Sequence, residues 1–187
     1  MSANIAVIYN GDLREVAAAF GEAAEHLRAR VRLLRVSGGE SDDRSGTYRD
    51  ANFNDLEWAD GIAFGTPVGH GHPAAALMAF IEGTEPLWSS GMLYDKVVTV
   101  FTDDPEHFAP DSVLHPIYDA LYHWGAVIVG PRAFDLASDA QHGPDVSETG
   151  GSLSASRLKG AQYRARRLAR IAGLLADESG RGERLQL

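Results

Sequence analysis

The sequence predicts an α/β fold in which five parallel strands form an open, doubly wound sheet. Apolar runs of strand length alternate along the chain with longer segments whose apolar residues recur at helical spacing. Because a strand, a crossover helix and the next strand of one sheet give parallel neighbours, this alternation favours a parallel sheet with helices on both faces. With 187 residues, the chain is long enough to bury the core of one such domain.

The first part of the chain predicts two strands joined by a helix. Ile5–Tyr9 is a continuous apolar run, typical of a strand buried on both faces, and residues 13–29 repeat apolar side chains at helical spacing. Val31–Val36 is more polar, which favours a strand near an edge of the sheet. Ser37–Asn54 is rich in Ser, Gly, Asp and Arg and predicts a long surface connection.

The remaining sequence continues the alternation. Strands are expected over Gly61–Gly65, Lys96–Phe101 and Ala126–Gly130. Helices are expected over Ala74–Ile81, Asp111–Trp124 and Ser154–Ala176. Residues 1–178 are expected to form one domain, with residues 179–187 as a flexible tail.

The composition excludes several classes of protein. The formal net charge of −9 argues against general binding to nucleic acid or to an anionic membrane, because both would repel the chain. The absence of cysteine excludes disulfides, thiolate nucleophiles and cysteine-ligated metals. The longest stretch without a charged side chain, Gly61–Ile81, is interrupted by Pro and Gly, and nothing at the amino terminus resembles a signal peptide. We therefore expect a cytoplasmic protein.

A ligand crevice is expected where the strands of the sheet end. In open parallel sheets, ligands bind outside the carboxyl ends of the strands, at the point where the strand order reverses. The loops expected there are Asn10–Leu13, Thr66–Pro73, Thr102–Pro110 and the segment that starts at Pro131. In the second of them, Gly69 and Gly71 would let the backbone approach a flat ligand closely.

The first crevice loop, Asn10-Gly11-Asp12, allows two interpretations. A phosphate could bind there at the amino end of the following helix, but the loop contains no Ser or Thr hydroxyl to hold it. The favoured interpretation is structural: Asp12 caps the helix, and Glu15 completes an arrangement like a capping box.

Histidines offer a second kind of site. His70, His72 and His107 fall on predicted loops and His123 falls near the end of a helix, where Asp103 and Asp104 could complete an acid–base constellation. No spacing typical of a metal site is present, so we expect no metal. The final predicted helix is basic, and we interpret it as a solvated face or one that docks on an acidic surface of a second copy.

Three segments carry a family resemblance. They read A-D-G-I-A-F-G-T-P over Ala59–Pro67, L-W-S-S-G-M-L-Y-D-K over Leu87–Lys96 and L-Y-H-W-G-A-V-I-V over Leu121–Val129. Together they resemble the WrbA-type NAD(P)H:quinone oxidoreductases, which are FMN enzymes of flavodoxin-like fold. The resemblance implies a sheet of order 2-1-3-4-5, assembly as a dimer or tetramer, and two-electron reduction of a quinone or similar small aromatic substrate by NAD(P)H.

The resemblance also implies site residues. His123 and His70 would be the catalytic residues, and Trp88 would help to wall the flavin pocket. The other residues expected to bind the cofactor are Asn10, Gly11, Pro67, Val68, Gly69, His70, Gly71, Thr102 and Asp103. Of these, the run from Pro67 to Gly71 would lie along the flavin ring.

The crevice loops depart from the family pattern. The first loop lacks a hydroxyl, Val68-Gly69 stands where Thr-Arg is usual, and Trp124 stands where a second histidine is usual. Asp103, Asp104 and Glu106 replace small hydrogen-bond donors after the fourth strand. These departures predict FMN binding weaker than is usual in the family. They leave open a second hypothesis, a flavodoxin-like protein that has lost FMN and acts as a scaffold or as a cofactor-free acid–base enzyme.

Overall fold

The computed structural model describes residues 2–37, 49–69, 72–102, 111–130 and 151–179. Its strands are β1 (Asn4–Tyr9), β2 (Arg30–Arg35), β3 (Gly61–Gly65), β4 (Val68–Gly69), β5 (His72–Pro73), β6 (Val97–Phe101) and β7 (Val127–Ile128). Five of them form a parallel sheet of order β2-β1-β3-β6-β7, and β4 and β5 form a separate antiparallel hairpin.

The α/β fold class and the parallel sheet are confirmed. The strand labels differ from the expected order 2-1-3-4-5 because the β4–β5 hairpin lies in the chain between the third and fourth strands of the sheet. That hairpin occupies the segment in which the sequence indicated only a glycine-rich turn. As expected, β2 lies at an edge of the sheet and β1 is buried on both faces.

The helices are α1 (Arg14–Glu25), α2 (Phe53–Trp58), α3 (Ala75–Glu82), α4 (Glu85–Ser89), α5 (Asp111–His123) and α6 (Gly151–Ser179). The sequence did not predict α2 and α4, which are too short to show a helical repeat. The first helix ends earlier than expected because Arg28 adopts a left-handed conformation, with φ of 63°. The last helix extends beyond both predicted ends, and it includes Ser179 of the expected tail.

Helices cover both faces of the sheet and create two apolar layers. On one face α1 and α6 pack against the sheet, and Phe20 stacks on Phe101 with ring centroids 5.3 Å apart. On the other face the core includes residues of α2, α3, α4 and α5, and Trp124 packs edge-on against Phe64 at 5.9 Å. Trp124 is therefore a core residue.

Residues 49–51, where the chain returns from the predicted surface connection, pair with the outer edge of β2 at its end. The backbone of Arg35 donates to Arg49 O at 2.9 Å and accepts from Ala51 N at 2.9 Å. The fully buried carboxylate of Asp55 accepts from Arg32 Nη1 at 2.9 Å and from Arg49 Nη2 at 2.7 Å. Residues 38–48 of the connection lie outside the described residues.

The basic side chains of α6 do not all face solvent. Lys159, Arg166 and Arg170 are exposed, whereas Arg164 is buried and Arg167 is half-buried. Arg164 and Arg167 donate to backbone carbonyls of the sheet region. The interpretation of this helix as a solvated or docking face is therefore wrong for these two residues, because their charges are used inside the domain.

Candidate functional site

The carboxyl ends of β1, β3 and β6 meet at one edge of the sheet. Asn10 N donates to Gly65 O at 3.0 Å, and Thr66 N donates to Phe101 O at 3.1 Å. A Cβ added at Gly11 would lie 3.1 Å from Pro67 Cγ, so the loops after β1 and β3 are in contact. Because the strand order reverses between β1 and β3, this edge is the crevice expected from the topology.

Asn10, an expected cofactor ligand, has a structural role. Its Nδ2 donates to Val36 O at 2.7 Å and so ties the end of β1 to the end of β2. Gly11 follows with φ of 66°, a left-handed conformation that glycine adopts without strain. The first loop therefore reaches the crevice mainly through its backbone.

Thr66 organises the second crevice loop, a role that the sequence interpretation missed. Its buried Oγ1 accepts from Ala74 N at 2.9 Å and donates to Pro67 O at 3.1 Å, which joins the two ends of the loop. Between these ends Val68 pairs with Pro73 and Gly69 pairs with His72. A hydroxyl residue directly after a fully apolar strand was the signal that could have revealed this role.

The amino end of α1 is not capped as expected. Leu13, not Asp12, is the N-cap residue, and no side chain makes a capping hydrogen bond there. The predicted cap by Asp12 and Glu15 is wrong because the fully buried Leu13 side chain anchors the cap position in the core. The amino end of α1 is thus not capped by the side chain of its N-cap residue.

Beside this helix end lies a depression of about 450 Å³. It is lined by Tyr9, Gly11, Asp12, Arg14, Glu15, Ala18 and Arg35. Two guanidinium groups and the amino end of a helix favour an anion, whereas the carboxylates of Asp12 and Glu15 oppose one. The sequence interpretation missed Arg35, which reaches the first loop only because β2 lies beside β1.

Trp88 and His123 lie at the opposite edge of the sheet. Two turns, in which Gly91 N donates to Trp88 O at 2.9 Å and Lys96 N donates to Leu93 O at 3.4 Å, lead from α4 directly into the start of β6. Asp95 N donates to Gly125 O at 3.2 Å, so the end of α5 lies beside the start of β6 as well. Both side chains are exposed. The structure therefore does not bring Trp88 and His123 together with the crevice residues of the same chain.

Only some of the other expected site residues lie in the described part of the chain. Thr102 is buried directly after β6, and Val68 and Gly69 are described only as backbone of β4. His70, Gly71, Asp103, Asp104, Glu106 and His107 lie outside the described residues. Within the described ranges, no group of three or more His, Asp or Glu residues could hold a metal ion.

Lys96, the last residue of the L-W-S-S-G-M-L-Y-D-K segment, has a structural role at the amino edge of the sheet. Its Nζ donates to the carbonyls of Glu57 and Ala59, where α2 ends. Burial lowers the pKa of the Lys96 ammonium, and the carboxylates of Asp60 and Glu57 partly oppose this shift. The motif residue therefore holds α2 against β6.

Proteins similar in sequence match nearly the whole chain. No family model matches it. The NAD(P)H dehydrogenase (quinone) of Sinorhizobium fredii is 30% identical over 94% of this chain and 100% of its own length. The chain belongs to the NAD(P)H dehydrogenase (quinone) family. The enzyme of the same name from Geotalea uraniireducens is also 30% identical, over 87% of each chain. The resemblance stated from the three sequence segments is thereby confirmed.

Solved structures show the same fold. A flavodoxin, WrbA-like protein from Agrobacterium tumefaciens superposes with a TM-score of 0.62 at 22% identity, over 92% of this chain and 99% of its own. The flavoenzyme NAD(P)H:(acceptor) oxidoreductase FerB from Paracoccus denitrificans superposes with a TM-score of 0.58 at 17% identity, over 91% and 98%. Among the helices of the described ranges, none combines the length and apolar character that crossing a membrane requires.

Proposed function

We propose that this family member is an FMN-dependent NAD(P)H:quinone oxidoreductase. Its support is the full-length relationship to enzymes named NAD(P)H dehydrogenase (quinone). The observation that carries the proposal is the contact between the loops after β1 and β3, where Gly11 lies against Pro67 at the switch point of the sheet. That contact puts the expected phosphate loop and the expected ring loop side by side.

The donor groups at this edge fit the phosphate of FMN. The amino end of α1 has no side-chain cap, and Arg14 and Arg35 line the adjoining depression. Backbone N–H groups, the helix dipole and guanidinium groups all favour a phosphate dianion. Asp12 and Glu15 line the same depression and weaken this preference, so we expect modest affinity.

The chain supplies position, and the cofactor supplies the redox chemistry. When bound, FMN carries two electrons from a nicotinamide to a quinone. The β4–β5 hairpin offers backbone that could lie against a flat ring, and Thr66 holds both ends of that loop. The expected ring contacts of Pro67, Val68, Gly69, His70 and Gly71 remain part of the proposal.

We also propose that the active enzyme is a homo-oligomer. Trp88 and His123 lie at the edge of the sheet opposite the crevice, so they can reach a flavin only in a second copy. The same segments expose Met92, Tyr94 and Tyr122, with Tyr122 against the His123 ring and Tyr94 against Gly125. We call these five residues the aromatic patch. A patch of large exposed apolar side chains is typical of an interaction surface.

The test is FMN binding followed by turnover. We expect the purified chain to quench FMN fluorescence at one equivalent per chain and to reduce a benzoquinone with NADPH or NADH only when FMN is present. FMN binding without quinone reduction would leave this chain the role of an electron carrier. Failure to bind FMN at any accessible concentration would overturn the proposal.

The absence of a hydroxyl in the first loop, together with Asp12 and Glu15, keeps the flavin-free function as the second candidate. Its acid–base version receives no geometric support from the described histidines. His72 lies in the β4–β5 hairpin by the crevice, whereas His123 ends α5 at the other edge. A helix of 13 residues is about 20 Å long, so the two rings cannot act on one substrate within a chain.

A further inference from the structure

We propose that Arg164 is a positioning residue of the crevice: from α6 it fixes the carboxyl end of β6 and, through β6, the loop that begins at Thr66. The side chain is buried, with 6% of its surface exposed, and its Nη1 donates to Val100 O at 2.8 Å. The relevance of this role to catalysis rests on the proposed function. The role itself rests on contacts within the chain.

The need for Arg164 arises from the short edge strand β7. Carbonyls two residues apart in a strand point to the same side, so those of Val98 and Val100 both face β7. Val98 O accepts from Val129 N at 2.7 Å, and the β6–β7 pairing ends at Val98. The guanidinium of Arg164 therefore supplies to Val100 the donor that a longer β7 would have supplied.

The contact at Val100 is connected to the crevice by one further residue. The next carbonyl, that of Phe101, faces β3 and accepts from Thr66 N at 3.1 Å. Thr66 Oγ1 in turn accepts from Ala74 N, which closes the loop containing the β4–β5 hairpin. The Phe101 ring is packed on Phe20, so a displacement of Val100 cannot be absorbed by rotation of Phe101.

A guanidinium suits this position better than a neutral donor. It reaches from α6 to the strand while remaining a charge-assisted donor, and its planar fork loses little freedom when it is held. One turn further along α6, Arg167 Nη1 donates to Gly130 O at 2.7 Å. Two arginines of α6 thus donate to backbone carbonyls at the carboxyl end of β6 and directly after β7.

The experiment compares three variants by amide hydrogen exchange of the FMN-free protein, measured by NMR. Arg164→Met removes the donor, Arg164→Lys retains a charge with a different shape, and Arg170→Met removes an exposed charge from the same helix as the matched control. We expect Arg164→Met to accelerate exchange of the Thr66 and Ala74 amides at least about tenfold. Val7, in the centre of the sheet, should be unchanged. Arg164→Lys should restore part of the protection, and Arg170→Met should have no effect.

Equal acceleration at Thr66, Ala74 and Val7 would show a loss of global stability only and would overturn the positioning role. Unchanged exchange at Thr66 in folded Arg164→Met would overturn it as well. If Arg164→Met does not fold, Arg164→Lys is compared with wild type at the same three amides. Faster exchange at Thr66 and Ala74 but not at Val7 supports the positioning role, and equal or no acceleration overturns it. FMN titration separates this inference from the proposed function. If FMN binding is weaker in Arg164→Met and unchanged in Arg170→Met, the positioning role and the proposed function are both supported. If wild type binds no FMN, the proposed function is contradicted and the exchange result still tests the positioning role.

Discussion

Asp12 carries one of the two negative charges that oppose an anion at the amino end of α1. It is exposed, lines the depression beside Arg14 and Arg35, and caps no helix. We expect Asp12→Ser to tighten FMN binding roughly tenfold, because a carboxylate is replaced by a hydroxyl donor. Fluorescence quenching at fixed salt measures the effect. Asp119→Ser, which removes an exposed charge from α5, should leave affinity unchanged; equal affinities of all three proteins would contradict the proposed phosphate position.

Gly65 is required by the close approach of an aromatic ring at the end of β3. A Cβ at this position would lie 2.5 Å and 2.6 Å from two ring atoms of Phe101, which is itself packed on Phe20. We expect Gly65→Ala to lower the free energy of unfolding by about 1–3 kcal/mol through overpacking. Gly130→Ala is the control, since its Cβ would meet nothing within 4 Å. Denaturant unfolding that shows equal stability for the two variants would refute this packing argument.

Residue roles at the crevice were only partly predictable from the sequence. The position of Gly11 and Pro67 at one edge follows from strand order, and the structure agrees. The use of Asn10 Nδ2 on Val36 O joins residues 26 positions apart, and no local pattern reports such a contact. The arrival of Arg35 at the first loop depends on sheet pairing in the same way. Local signals therefore locate the loops but not the hydrogen bonds between them.

At the scale of elements, α2 is held in place by Lys96. We expect Lys96→Met to lower the free energy of unfolding by about 1–3 kcal/mol, because the Glu57 and Ala59 carbonyls lose their donor. The lowered pKa adds a pH dependence. Below the ordinary value of 10.5 the unfolded chain holds its Lys96 proton more tightly than the folded chain does, so folding gains stability as pH rises through this window.

The difference in unfolding free energy between wild type and Lys96→Met should therefore widen as pH rises from neutral towards that value. Urea unfolding at several alkaline pH values measures it. Lys159→Met, which removes an exposed lysine of α6, should show no such trend. A difference that narrows with pH would mean that burial does not lower the pKa of Lys96.

Element prediction succeeded where burial imposes a simple pattern. The buried strands β1, β3 and β6 are almost entirely apolar, with Asn4 and Thr99 as the polar exceptions, and their positions match the expectations closely. The pattern failed for α2, whose signal is not periodicity but the reciprocal cap between Asn52 and Asp55. It also overestimated β7, because Val127 and Ile128 are partly exposed at an edge where pairing ends early.

At the scale of the whole molecule, the aromatic patch around Trp88 should mediate assembly. We expect light scattering to give the mass of a dimer or tetramer, and Tyr122→Glu or Trp88→Glu to raise the dissociation constant of the assembly at least about tenfold by burying an unpaired charge. Leu174→Glu is the matched control, because it adds the same charge at an exposed leucine of α6. A wild-type monomer at all concentrations would contradict the proposed assembly.

Mixing two inactive proteins tests whether each site is shared between copies. A chain altered at Trp88 retains its own crevice, and a chain altered at Gly11 retains its aromatic patch. If Trp88 serves a neighbouring crevice, the mixed oligomer regains quinone reduction that neither parent has. Absence of recovery in mixed oligomers of proven composition would assign Trp88 to a role outside the site.

Together, α1 and α6 cover one face of the sheet. In the sequence, nearly all the other elements lie between these two helices. The helix that completes this cover packs directly on the central strand: at Gly61 an added Cβ would lie 3.1 Å from the Cβ of Ala172. Translation delivers α6 after all the strands of the described residues, so the part of this face that α6 covers stays exposed on the growing chain until α6 is made. A ribosome stalled before α6 should therefore carry a chain that recruits chaperones. These chaperones should dissociate from the exposed face when α6 emerges.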